Sequence, residues 1–150
     1  PKQNRTIPPL QYERVELLKK ERPDLIIELN GGLNNPEDCI KELEIFDGVM
    51  VGRAAYSHPM RWICVDELIF GEKNQLIKPS KIISKMIPYT ENHLIKNGRL
   101  WSIGKHLLQL VEGVPGAKAW RKEFCLKAQK RTAGLKVMED AARQLKNVGL

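Results

Sequence analysis

Residues Leu25–Pro59, LIIELNGGLNNPEDCIKELEIFDGVMVGRAAYSHP, decide the fold. Leu25, Ile26, Ile27 and Leu29 form a short apolar run that stops at Asn30-Gly31-Gly32, and Gly48-Val49-Met50-Val51 is a second run that stops at Gly52-Arg53. Both runs are short and rich in branched residues, which favours buried strands over helix. Between them a helix start is written in full: Asn34 or Asn35 as cap, Pro36 at the first helical position, and Glu37 and Asp38 in the first turn, where the helix dipole favours negative charge. Ile40 and Leu43, with Cys39, are its expected apolar face. Strand, helix, strand with a crossover of this length predicts a parallel, right-handed pair.

Glycines at the carboxyl ends of parallel strands let backbone N–H groups approach an anion closely. Two neighbouring strand ends of this kind make one phosphate cradle, and Arg53 adds a planar, charge-assisted clamp. The loops after strands seven and eight of a (β/α)8 barrel are where such a site commonly lies. On pattern alone the same glycines also fit plain tight turns.

The remaining chain sets this unit in context. A chain of 150 residues with 42% hydrophobic residues and no low-complexity tract has enough apolar surface for a folded core. No apolar run reaches the length of a membrane span, and the start PKQNR lacks the apolar stretch of a signal peptide. The three cysteines, Cys39, Cys64 and Cys125, share no metal or redox spacing, so idle thiols in a reducing, cytoplasmic setting are expected. From Pro1 to Lys78 the balance of Lys and Arg over Asp and Glu is −2; from Pro79 to Leu150 it is +9. A basic block on an otherwise neutral chain is the footprint of a nucleic-acid binder, with solvated helix faces as the bland alternative.

Pro1–Leu10, with Pro8-Pro9, reads as a loop or arm carrying Lys2 and Arg5; a helix then fits Tyr12–Arg22, ended by Pro23. Two parallel strands cannot stand alone, since such sheets need covering and further strands. The order therefore predicts the last two strand-helix units of a larger barrel, its earlier strands absent from this chain. Helical spacing over Met60–Phe70 closes that part, and Gly71–Pro79 reads as a linker, dividing residues 1–72 from residues 79–150. Beyond it four helices are expected to form a small antiparallel bundle. The first is capped by Ser80, kinked by Pro88 and ended by Asn97-Gly98; the second opens at Ser102; the third runs from about Ala117 to Thr132; the fourth starts near Leu135. Trp120 and Phe124 belong to its core rather than to a base-stacking surface. Lys118, Arg121 and Lys122 lie within about a turn of one another beside them, with Lys127, Lys130 and Arg131 further along, a cluster suited to a phosphate backbone.

Leu29-Asn30-Gly31-Gly32 and Asp47-Gly48-Val49-Met50-Val51-Gly52-Arg53-Ala54-Ala55-Tyr56-Ser57-His58-Pro59 together resemble the flavin-binding end of the tRNA-dihydrouridine synthases. Lys2-Gln3-Asn4-Arg5-Thr6-Ile7-Pro8-Pro9-Leu10 and Gly113-Val114-Pro115-Gly116-Ala117-Lys118-Ala119-Trp120-Arg121-Lys122 resemble the bacterial A-type branch. The resemblance covers Pro1 to about Leu145. It implies a TIM-barrel enzyme in which NADPH reduces FMN and the flavin reduces a uridine in the D-loop region of tRNA to 5,6-dihydrouridine, the target base being extruded first. Asn30, Gly31, Gly32, Gly52 and Arg53 match the FMN phosphate positions, and Lys2, Arg5, Lys118, Arg121 and Lys122 fall where the A-type branch meets tRNA. The family's catalytic cysteine segment has no counterpart between Pro1 and Leu150, so no catalytic residue is assigned. His58 reads as a loop residue, and His93 and His106 as structural or solvent-facing. A monomer acting on tRNA, without a metal or a membrane, is the expectation. The competing readings are a non-catalytic tRNA-binding or other RNA-binding module and a different phosphate-site barrel, which the basic helical half disfavours.

Overall fold

The computed structural model describes residues 9–73 and 77–150. It is mostly helical, with one two-stranded parallel sheet, and divides into two compact units: Pro1–Ser57 with Cys64–Asn74, and His58–Ile63 with Gln75–Leu150.

The first unit opens on α1 (Tyr12–Glu21), where the expected helix lies. β1 (Glu28–Asn30) and β2 (Gly48–Met50) pair in parallel, with Glu28 opposite Gly48, Leu29 opposite Val49 and Asn30 opposite Met50. Between them α2 (Pro36–Leu43) starts as its sequence dictates: the Asn35 side chain caps it by accepting from the Asp38 N–H at 2.8 Å, Pro36 fills the first turn, and the Asp38 carboxylate accepts from the Asn34 N–H at 3.0 Å. Leu29, Leu33, Cys39 and Phe46 are buried.

β1 is shorter than the apolar run predicts. Leu29 is buried within it, whereas Ile26, which precedes the strand, is 86% exposed. α3 (Arg53–Ser57) follows β2, and α4 (Val65–Phe70) packs against α2 and ends on left-handed Gly71. The single helix expected over Met60–Phe70 is instead a 3-10 turn, Pro59–Trp62, followed by α4. The break falls at Cys64, whose φ of −94° and ψ of 1° lie outside the helical well.

Asp47 ties the entries of the two strands together. Its carboxylate accepts from Lys19 Nζ at 2.6 Å and from the Ile27 N–H at 2.8 Å, and its own N–H donates to the Ile27 carbonyl at 3.2 Å. The Lys19 ammonium first, and the Ile27 amide second, hold the Asp47 carboxyl below the usual aspartate range. A carboxyl with a lowered pKa in the fold contributes stability that is complete above the unfolded value, about 3.9, and is lost as pH falls through the folded one. An NMR titration of Asp47 is therefore expected to show a midpoint below 3.8, with the Ile27 amide resonance moving in step. A midpoint at or above 3.8 contradicts the pairing.

The regular elements among the described residues of the second unit are all helical: the 3-10 turn Pro59–Trp62, α5 (Pro79–Lys85), α6 (Ile87–Ile95), α7 (Leu100–Gly104) continuing into a 3-10 segment (Lys105–Val111), α8 (Ala117–Ala128) and α9 (Leu135–Asn147). Two expected caps move. Pro79, not a residue after Ser80, takes the first position of α5, where its missing N–H costs nothing, and α7 opens at Leu100 rather than at Ser102. The interruption expected at Pro88 is present as the break between α5 and α6 at Met86, with both the Thr90 N–H and hydroxyl donating to the Met86 carbonyl. α6 closes as its Asn-Gly ending predicts: Asn97 adopts φ 61° and the Gly98 N–H donates to the His93 carbonyl at 2.9 Å. α8 stops at Ala128, so Lys130 and Arg131 follow the helix instead of extending it.

Trp120 and Phe124 stack with ring centroids 5.2 Å apart and 5° between planes, and Trp120 Nε1 donates to the Ala141 carbonyl at 3.3 Å. Both rings are buried with Val111, Met138 and Leu145, which settles them as core residues. Their alignment follows from a one-turn spacing on α8 and the hydrogen bond that satisfies the buried indole.

Candidate functional site

The parallel register places the two glycine turns at one end of the sheet. Asn30 faces Met50, so the chain leaves β1 through Gly31-Gly32 and β2 through Val51-Gly52 in the same direction. Gly31 and Gly32 have φ of 119° and 71°, a region that side-chain-bearing residues avoid. The first turn is tied from two sides. The Tyr12 hydroxyl donates to the Gly31 carbonyl, and Asn34 Nδ2 donates to the Gly32 carbonyl at 2.6 Å. Burial first, then Glu42 and Asp38, raise the Tyr12 pKa, so the hydroxyl keeps the proton it donates.

Gly52 differs from this pair. Its φ is not positive, and a Cβ built on it would meet no heavy atom within 4 Å. The space beside it is open. Arg53 follows as the first residue of α3, exposed and without an ion pair among the described residues. An exposed guanidinium next to an open backbone position can grip an oxyanion in bidentate fashion.

Tyr12 and Leu10 carry no sequence signal for this site. A Cβ on Gly32 would stand 2.7 Å from both the Leu10 Cδ1 and the Tyr12 hydroxyl, so these side chains lie directly over the first turn. No periodicity signals a contact between a helix start and a turn 19 residues on. Cys39 is buried, and burial first, then Asp38 and Glu37, raises its pKa.

The second unit carries the other predicted residues. Lys118 and Lys122 are exposed on α8 and Arg121 half-buried, at spacings that put all three on one side of the helix, away from Trp120. None has an ion pair among the described residues, whereas Lys127 is bound to Glu123 at 2.6 Å. Lys2 and Arg5 lie outside the described residues. His58 is held by Glu112 through Nδ1, a structural contact within this unit, and the His93 ring packs over Gly98.

The sequence pattern of the dihydrouridine synthase family matches residues 1–146. The chain belongs to the dihydrouridine synthase family. Among relatives in it, a tRNA-dihydrouridine(20/20a) synthase of Shewanella oneidensis is 42% identical over 139 residues, covering 93% of this chain and 42% of the relative. The protein of the same name from Synechocystis is 42% identical over 150 residues, covering 100% and 45%. That from Escherichia coli K12 is 41% identical over 143 residues, covering 95% and 41%. The chain thus spans less than half the length of the curated relatives it matches. The resemblance noted from the glycine turns and from the turn before α8 places the chain in this family correctly.

Proposed function

We propose that this chain is the carboxyl-terminal portion of an A-type, FMN-dependent tRNA-dihydrouridine synthase. Residues 1–72 supply the last two strand-helix units of its (β/α)8 barrel, and residues 79–150 a four-helix bundle that holds tRNA. The observation that carries this reading is the register of β1 and β2, which sets both glycine turns and Arg53 at one sheet end. The exposure of apolar Ile26 just before β1 supports further barrel structure beside these two strands. Membership of a family whose relatives are named tRNA-dihydrouridine synthases supports the reaction.

The residues present fit the phosphate of FMN: open space at Gly52, a side-chain-free turn at Gly31 and Gly32, and an unpaired Arg53 among the described residues. Asn30, Gly31, Gly32, Gly52 and Arg53 would hold it there, the glycines by backbone approach and Arg53 by charge. Bound there, FMN reduced by NADPH would supply the hydride for one carbon of the uracil double bond; the adjacent carbon takes a proton, and no residue of this chain is assigned to deliver it. Tyr12 and Asn34 keep the Gly31-Gly32 turn in its left-handed form by engaging its carbonyls. Lys118, Arg121 and Lys122 neutralise tRNA phosphates, with Lys2 and Arg5 assigned the same role from the family pattern. Cys39, Cys64 and Cys125 take no part in proton transfer.

The test uses the full-length protein that contains this segment, incubated with FMN, NADPH and an unmodified tRNA transcript. The expected result is NADPH oxidation matched by dihydrouridine formation in the transcript. Tight tRNA binding without NADPH oxidation would favour a non-catalytic RNA-binding module instead.

A further inference from the structure

The second unit contains a groove that the α8 cluster does not account for. α5 and α9 lie side by side, and between them opens a cleft of about 790 Å³. Lys78, Lys81 and Lys85 line one wall, and Arg143 and Lys146 the other, with Glu139 as the one acidic side chain among the lining residues. Lys81 and Lys85 are four apart on α5, with Lys78 as its N-cap, and Arg143 and Lys146 are three apart on α9. Lys78 donates to the Gly149 carbonyl at 2.9 Å, and Arg143 reaches Asp140 only at 3.3 Å on an exposed edge. Lys81, Lys85 and Lys146 form no ion pair among the described residues. A cleft in which five cations face one carboxylate concentrates a polyanion between its walls.

We propose that the α5–α9 groove is a second RNA-binding surface, taking a run of backbone phosphates by charge rather than by base reading. The proposal rests on the reading of this unit as an RNA-binding domain and extends it to residues outside the α8 cluster. Side chains that meet only phosphates bind without sequence preference and release counterions, so removing one such cation lowers the salt dependence of affinity by about 0.7–0.9.

The experiment measures binding of an unmodified tRNA transcript to the full-length protein that contains this segment by fluorescence anisotropy across a salt series. One variant combines Lys81→Gln, Lys85→Gln, Arg143→Gln and Lys146→Gln; a second combines Arg121→Ala and Lys122→Ala; a third is Glu139→Lys. The groove variant is expected to lose at least tenfold in affinity and about three units of salt slope. Glu139→Lys, which adds a cation at an exposed position, is expected to bind more tightly with a steeper slope. That variant keeps the proposal testable even if the fourfold change unfolds the unit. Wild-type binding by the groove variant alongside weakened binding by the α8 variant overturns the groove and leaves the domain reading standing. Failure of the unaltered full-length protein to bind the transcript overturns both.

Discussion

Gly32→Val is expected to cost the first unit about 2–4 kcal/mol, combining left-handed strain with overpacking. The backbone there sits at φ 71°, where a β-branched side chain is least tolerated, and the added Cβ would stand 2.7 Å from Leu10 Cδ1 and from the Tyr12 hydroxyl. Both side chains must move, and the hydrogen bond from Tyr12 to the Gly31 carbonyl breaks as they do. Trp62, Trp101 and Trp120 all belong to the second unit, so tryptophan fluorescence reports on the wrong half of the chain. Hydrogen exchange of amides in β1, α2 and β2 reads the effect directly, and faster exchange confined to those elements is the expected pattern. Exchange at wild-type rates would mean that the turn is not held as described.

Arg53→Ala in the full-length protein is expected to lower FMN affinity by about 10- to 150-fold, the equivalent of one charge-assisted contact of about 1.5–3 kcal/mol. The fold should not respond, because Arg53 is exposed and makes no ion pair among the described residues. Binding followed by quenching of flavin fluorescence checks it. An unchanged dissociation constant would remove Arg53 from the proposed cradle.

Local signals were the most readable in the sequence. The start of α2 was written in Asn35, Pro36 and Asp38, because a cap is a contact among residues three apart. The glycine turns were equally plain, since a φ of 119° or 71° leaves few residue choices. The length of β1 was not readable: the apolar run Leu25–Leu29 looks like a buried strand, but the strand begins only at Glu28 and Ile26 is exposed, and burial depends on neighbours that periodicity cannot see. Ser80 and Ser102 are good capping residues in the wrong places, overruled by Pro79 in one case and by the packing of Leu100 into the core in the other. Tyr12 and Leu10 are silent in the sequence for the same reason as Ile26, because their role is a tertiary contact. The α5–α9 groove combines residues more than 50 positions apart, which charge counting along the chain merges into a single basic half.

The two turns are proposed to share one phosphate, and Gly52 tests this with the least disturbance. Its conformation suits any residue and its surroundings are empty, so Gly52→Ala should leave stability within about 0.5 kcal/mol of the parent. FMN affinity of the full-length protein is the deciding measurement. A loss of about tenfold or more, as expected when a methyl group blocks close backbone approach to a charged oxygen, is the predicted result. Unaltered FMN binding by Gly52→Ala would contradict the account.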